Sequence, residues 1–315
     1  MNYLLSTSEI SFPGLGIGKF TVNDTAFTIF GHEIKWYGVI ICFGIIAAVL
    51  YFLHRAKQSG IKTDTVVDMT LVTVPVGIVG ARLYYVIFYG VPLKDIYKIW
   101  EGGLAIYGGI IFGAAAVIVM CKIKKVKFFA FSDMIAPGVM IAQAIGRWGN
   151  FTNGEAFGAE TTAFSRMGLE NWHTGGSYVE VHPTFLYESL WNVIGFALIN
   201  VFYKKRKFYG EAFLWYAAWY GIGRTFIELL RQDSLYIGSI RVSSLFGAIC
   251  FGVCFPFIVL MHVRHKKLVK AGVLEKDEIA DIVFLLGIKK EKSTAPVVES
   301  APEEKETEAE NGNDN

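Results

Sequence analysis

The sequence is short of charge. Only 18% of its 315 residues are Asp, Glu, Lys or Arg, against about a quarter in an ordinary soluble domain. Neither sign is in surplus: the formal net charge is +2, which leaves no basic footprint for nucleic acid. Cysteine is scarce as well. Cys42, Cys121, Cys250 and Cys254 all fall in apolar runs without CxxC spacing, so they read as small buried hydrophobes. Cys250 and Cys254 stand four apart with no third ligand in view. The six histidines show no metal spacing, and neither HExxH nor GxSxG occurs, which disfavours metallopeptidase and serine-hydrolase chemistry. The opening residues, MNYLLSTSEISFPG, lack a basic n-region and a sustained apolar core, so no cleavable signal peptide is expected.

What the chain has in quantity is apolar length: 53% of it is hydrophobic. A helix needs about 20 apolar residues to cross the hydrocarbon core. Seven segments qualify, at 36–53, 64–89, 103–121, 131–146, 184–203, 211–231 and 241–263. The fourth is short, carries Pro137 and runs into glycine-rich sequence at Gly146; it reads as a helix broken near one face of the bilayer. Basic residues follow every odd-numbered span, namely Arg55, Lys57 and Lys62, then Lys122 to Lys127, Lys204 to Lys207, and Arg264 to Lys270. The positive-inside rule puts these ends in the cytoplasm. The expected fold is an all-α membrane protein, a seven-transmembrane-helix bundle with its N-terminus outside and its C-terminus cytoplasmic. Residues 1–35 form an extracytoplasmic arm with a hairpin around Gly31, and 36–265 the transmembrane domain. The loop at 147–183 forms a small outer head, and 266–315 a cytoplasmic segment whose Glu- and Pro-rich tail from about 289 reads as disordered.

Ionisable residues inside spans are expensive, about 2.5–3.5 kcal/mol for a central arginine. Arg82, Glu188, Arg224 and Glu228 lie within spans, and Arg147 and Asn150 follow the fourth. With this topology they share the outer half of the bilayer with Tyr37, Tyr107 and His182. Bland readings exist for each alone: Arg224 and Glu228 as an i,i+4 pair, Arg82 snorkelling to headgroups, His182 opening a helix before Pro183. A common depth points instead to one site facing the outer leaflet. Three arginines and an asparagine suit a phosphate, which guanidinium grips through paired hydrogen bonds, and the phosphate at hand is a phospholipid headgroup.

One stretch is more specific. GRWGNFTNGEAFG, residues 146–158, resembles the signature of the bacterial prolipoprotein diacylglyceryl transferases. KWYG around Tyr37, GARLYYV around Arg82, HPTFLYES from His182 and GIGRTFIELLRQ from Arg224's segment are similar to further family motifs, in the same order. The likeness covers roughly residues 13–265. It implies a multi-pass enzyme of the bacterial cytoplasmic membrane that moves the diacylglyceryl group of phosphatidylglycerol onto the lipobox cysteine of a prolipoprotein signal peptide. A thioether forms and glycerol phosphate leaves, with no metal or organic cofactor. Tyr37, Tyr107, Arg147, Asn150, Arg224 and Glu228 are the implied catalytic residues. Arg82, Glu155, Gly158 and His182 join Arg147, Asn150 and Arg224 in binding the lipid. There is one departure: many family members carry histidine at the position of Tyr107. The competing reading is a transporter of an anionic lipid or solute, but such folds usually carry paired repeats with two matched broken helices, and a single break is expected here.

Overall fold

The computed structural model describes residues 7–99, 102–232 and 234–287. Its helices are α1 (Trp36–Ser59), α2 (Thr63–Tyr89), α3 (Ile106–Ile123), α4 (Phe128–Asn153), α5 (Thr184–Tyr203), α6 (Glu211–Leu230), α7 (Val242–Lys270) and the single turn α8 (Ile282–Leu285). All but α6 and α8 are long and apolar enough to cross a membrane. The twenty residues of α6 include Glu211, Arg224 and Glu228. Eight short strands accompany them: β1 (Thr7–Phe12), β2 (Ile17–Asn23), β3 (Thr25–Ile29), β4 (His32–Lys35), β5 (Met167–Glu170), β6 (Val179–Val181), β7 (Tyr236–Ile237) and β8 (Ile240–Arg241). The chain divides into two compact units. One holds residues up to 70 together with those from 129 onward; the other is 71–128.

In the larger unit α4 departs from the sequence expectation. It runs unbroken for 26 residues through Pro137 and Gly146 to Asn153, and it is the most buried of the spans. Pro137 and the glycines that suggested a break are carried on a continuing helix among protein partners, where Gln143 donates to the Tyr216 hydroxyl at 3.0 Å. Glycine inside a helix costs about 1 kcal/mol against alanine, and here it admits neighbours instead. A Cβ on Gly149 would lie 2.7 Å from Tyr37 of α1, and one on Gly44 would press the α4 backbone at Ala142. The α6–α7 seam is tighter still. Gly221 and Gly247 face each other so closely that a Cβ on either would stand 2.5–2.6 Å from the other's carbonyl oxygen.

Asp133 of α4, wholly buried, caps α6 from outside that helix: its carboxylate accepts from the N–H groups of Gly210 at 2.9 Å and Phe213 at 3.0 Å. A carboxylate at a helix N-terminus satisfies orphan donors and meets the positive end of the dipole.

The arm and the loop after α4 are not separate appendages. They form one antiparallel sheet of order β2-β1-β5-β6, with Ile10 opposite Leu169 and both fully buried. The head begins at Gly154 rather than at 147, because residues 147–153 are still α4. Buried Asn171 ties the parts together, donating to Ser8 Oγ at 3.0 Å and to the Gly154 carbonyl at 2.8 Å. The hairpin expected around Gly31 is β3–β4, paired from Thr25–Lys35 to Ile29–His32.

After α7 the chain doubles back. Ala280 exchanges backbone hydrogen bonds with Lys207 and Tyr209 at 2.9 and 3.0 Å. Phe208, Met261, Leu274, Ile282 and Leu285 close a small core there. The tail from about 289 lies outside the described residues.

In the smaller unit α2 and α3 meet through glycine: a Cβ on Gly108 would sit 2.3 Å from the Gly80 carbonyl oxygen.

Candidate functional site

Glu188, four residues into α5, is 5% exposed and gathers three arginines from three places. Arg147 of α4 reaches it at 2.6 Å, Arg224 of α6 at 3.2 Å, and Arg231, just past the end of α6, at 3.3 Å. Arg224 turns its other nitrogen to Glu228, one turn on, at 2.6 Å. The Glu228 carbonyl accepts in addition from Arg241. Spacing sets this up: 224 and 228, four apart, share one face of α6, and Arg231 follows where the chain leaves the helix in extended conformation.

The polar chain extends outward from Arg147, whose guanidinium donates to Asn150 Oδ1 at 3.3 Å. Asn150 donates in turn to Glu155 Oε1 at 3.1 Å, and Asn153 adds a second hydrogen bond to that oxygen at 3.2 Å. Glu155 is held by the residue after it. Ala156 has φ of 56°, a left-handed conformation that side chains disfavour, and its carbonyl is fixed by the Thr184 hydroxyl. Strain of this kind collects where a neighbour must be aimed. Beside this chain opens a cleft of about 530 Å³, lined by Asn150, Glu155, Phe157, His173, Arg231 and Gln232. Its size is that of small-ligand sites.

Gly158 and His182 are placed as a joint. The N–H of Gly158 donates to the His182 carbonyl at 2.9 Å, and Ala159 N–H donates to the Leu230 carbonyl at 2.7 Å. Gly158 itself bridges Arg231 in antiparallel fashion. A Cβ on Gly158 would stand 2.7 Å from His182 Cβ and 2.8 Å from the Leu230 oxygen, so glycine lets the loop grip the end of α6 and with it Arg231. The His182 ring is 3.2 Å from the Tyr187 hydroxyl, which is 2.7 Å from Ser165 Oγ.

Tyr37 packs on Gly149 at the start of α1. Thus Tyr37, Arg147, Asn150, Glu155, Gly158, His182, Arg224 and Glu228 fall within the larger unit. Arg82 and Tyr107 belong to the smaller one. There Arg82 is 5% exposed and its donors are spent on backbone: Nε on Ile96, one terminal nitrogen on Gly102 and Gly103, the other on Asp95 at 2.7 Å. It ties a loop rather than presenting an open fork to phosphate. Tyr107 is partly exposed, its ring 6.4 Å from that of Tyr84.

Sequence reasoning singled out Glu188 as a costly buried charge but gave it no role, and passed over Arg231 and Arg241. The i,i+7 spacing from Arg224 was the available signal for Arg231. For Arg241, which arrives by the β7–β8 hairpin, there was none.

Three guanidiniums meet two carboxylates, Glu188 and Glu228, which leaves the cluster one positive charge in surplus beside a cleft. Such an arrangement binds an anion and steadies charge that develops on it.

Residues 24–261 match the family described as Prolipoprotein diacylglyceryl transferase. Proteins named phosphatidylglycerol–prolipoprotein diacylglyceryl transferase are similar to the chain along most of its length. That of Listeria monocytogenes serotype 4a (strain HCC23) is 40% identical over 261 residues, covering 79% of this chain and 94% of the relative. That of Limosilactobacillus reuteri (strain DSM 20016) is 41% identical over 261 residues with the same coverage. That of Staphylococcus epidermidis (strain ATCC 35984) is 40% identical over 260 residues, covering 78% and 91%.

Proposed function

The chain belongs to the prolipoprotein diacylglyceryl transferase family, and on that premise we propose that it transfers diacylglycerol from phosphatidylglycerol to the lipobox cysteine of prolipoproteins in the bacterial cytoplasmic membrane. The proposed topology is seven spans, α6 included, with the N-terminus outside. Arg147 and Asn150 hold the headgroup phosphate and glycerol. Arg224, steadied by Glu228, supplies the second cation, and Arg231 the third from the cleft wall. In the reaction the cysteine thiol gives its proton up to solvent, the thiolate sulfur bonds to the glyceryl carbon, the bond from that carbon to the phosphate oxygen breaks, and glycerol phosphate departs carrying the thiolate's negative charge.

Two demands follow. A free thiol has pKa near 8.5 and is mostly protonated at neutral pH, so its proton must be accepted or a positive field must favour the thiolate. The leaving phosphate gains charge, and fixed cations are worth most where water is sparse. The arginine cluster serves both. For Tyr107 the reading comes from the family likeness: a neutral phenol that hydrogen-bonds the lipid headgroup, a part histidine also plays. Tyr37 is a further hydrogen-bonding candidate.

The observation that carries this reading is the convergence of Arg147, Arg224 and Arg231 on Glu188. Its test is to incubate purified protein with phosphatidylglycerol and a lipobox peptide and to seek the thioether by mass spectrometry. Arg147→Lys keeps the charge but loses the fork, and is expected to insert normally with activity down about a hundredfold, or about 3 kcal/mol in the barrier. Full activity in that variant would refute the phosphate role.

A further inference from the structure

Further along α5 from Glu188, beginning at Gly195 seven residues or about 10 Å away at 1.5 Å per residue, lies a second concavity. A groove of about 420 Å³ is walled by Leu198, Ile199 and Phe202 of α5 and by Ala212, Trp215 and Trp219 of α6. Its floor is firm. Trp219 and Trp191 stack at 4.2 Å, and each indole N–H donates to the other residue's carbonyl at 2.9 Å. Gly195 lets the floor pack closely, since a Cβ there would stand 2.3 Å from Met140 and 2.4 Å from Trp219. Phe202, Leu198 and Trp215 are all exposed along the wall.

One end of the groove is apolar and the other ends in charge: Lys205, Arg206, Glu211 and His262 form the mouth. Three of these are engaged. Arg206 lies 3.6 Å from Asp133 and 4.1 Å over the Tyr203 ring. The Glu211 carboxylate accepts from the Lys207 N–H at 2.6 Å and lies 2.9 Å from His262 Nε2. Lys205 is exposed and has no carboxylate partner among the described residues; its ammonium lies 5.9 Å from the Phe202 ring. From Gly195 to Lys205 is ten residues, about 15 Å of helix, which is half of a hydrocarbon core about 30 Å thick. The groove is therefore one leaflet deep, apolar along its wall, and offers the Lys205 ammonium where headgroups begin.

We propose that this groove binds an anionic phospholipid of the leaflet on the basic side of the bundle, one acyl chain along the Leu198–Trp219 wall and the headgroup phosphate at Lys205. Basic pockets between membrane helices recognise acidic headgroups in this way. The site takes no part in the transfer at Glu188's end of α5.

The full chain, reconstituted in nanodiscs of neutral lipid, would be irradiated with phosphatidylserine carrying a diazirine in its tail, and separately with phosphatidylcholine carrying the same tail. Phosphatidylserine is chosen because it is not the proposed substrate. Mapping the labelled peptides should place the anionic probe on residues 195–219 several-fold above the zwitterionic one. Lys205→Glu should bring the two to equality, and Ile199→Trp, which fills the groove, should lower both. Equal labelling of the parent by the two probes, or a preference untouched by Lys205→Glu, would reduce the groove to ordinary lipid contact and overturn the proposal. Because labelling is the readout, the result stands apart from whether the arginine cluster transfers anything.

Discussion

On the proposed reading of the arginines, Glu188 occupies the place an incoming phosphate would take. Its two oxygens meet guanidiniums from α4, α6 and the residue after α6, which is the grip a phosphate would receive, and it does so while almost wholly buried. A carboxylate in that position keeps like charges from forcing the helices apart when the site is empty of lipid. Glu188→Gln removes the charge and little else, and breaking a buried ion pair costs on the order of 3–5 kcal/mol. The variant should melt lower in detergent, and glycerol phosphate should restore more of its melting temperature than it adds to the parent protein. Equal shifts would show that carboxylate and phosphate do not compete. Tyr107 poses the complementary question of the proton. An unperturbed tyrosine has pKa about 10, so a phenol acting as thiol base would need a shift of several units, whereas a phenol acting as donor needs none. Tyr107→His is therefore expected to stay active, and Tyr107→Phe to lose activity by a similar factor at every pH. Activity of the Phe variant climbing back as pH rises through the peptide thiol's pKa would identify tyrosine as the base.

Helix by helix, the hydropathy of the chain announced where apolar segments lie but not which side each turns to its neighbours. α4 looked broken because it carries Pro137 and runs into glycines from Gly146. In a helix packed among helices such residues admit close neighbours, as Gly149 admits Tyr37, and the helix runs on. The motif residues 146–158 were legible through their resemblance to a family signature. Arg231 and Gly158 were not legible as partners, because a bridge between a loop and a helix end separated by more than seventy residues leaves no periodic trace. Asp133 was likewise invisible: its partners are backbone N–H groups at the start of α6. Asp133→Ala removes that cap and the carboxylate facing Arg206. Caps of this kind are worth about 0.5–2 kcal/mol, so thermal unfolding should shift down accordingly. An unchanged melting curve would show that water replaces the carboxylate there.

For the molecule as a whole, the proposed orientation makes a prediction independent of chemistry. In a cysteine-free background, single cysteines at positions 58, 125 and 206 should resist a membrane-impermeant thiol reagent applied to intact cells, and one at position 170 should react. Position 170 lies in β5 of the head sheet, whereas 58 is at the end of α1 and 125 and 206 follow α3 and α5. Labelling at 125 or 206 from outside would reverse the orientation and move the arginine cluster to the other leaflet.

The pairing of β1 with β5 joins Ile10 to Leu169, and this has a consequence for biogenesis. With the proposed topology, β1 is made before α1 and lies outside the cell, and its partner β5 follows only after four spans have threaded. Throughout that interval β1 and β2 are a two-stranded ribbon, marginal on its own in water, with an open edge along β1. Closure across so long a separation is slow. The head sheet thus stays open until four spans have threaded, and a nascent chain arrested before residue 167 would display an unpaired strand to whatever extended segment comes near.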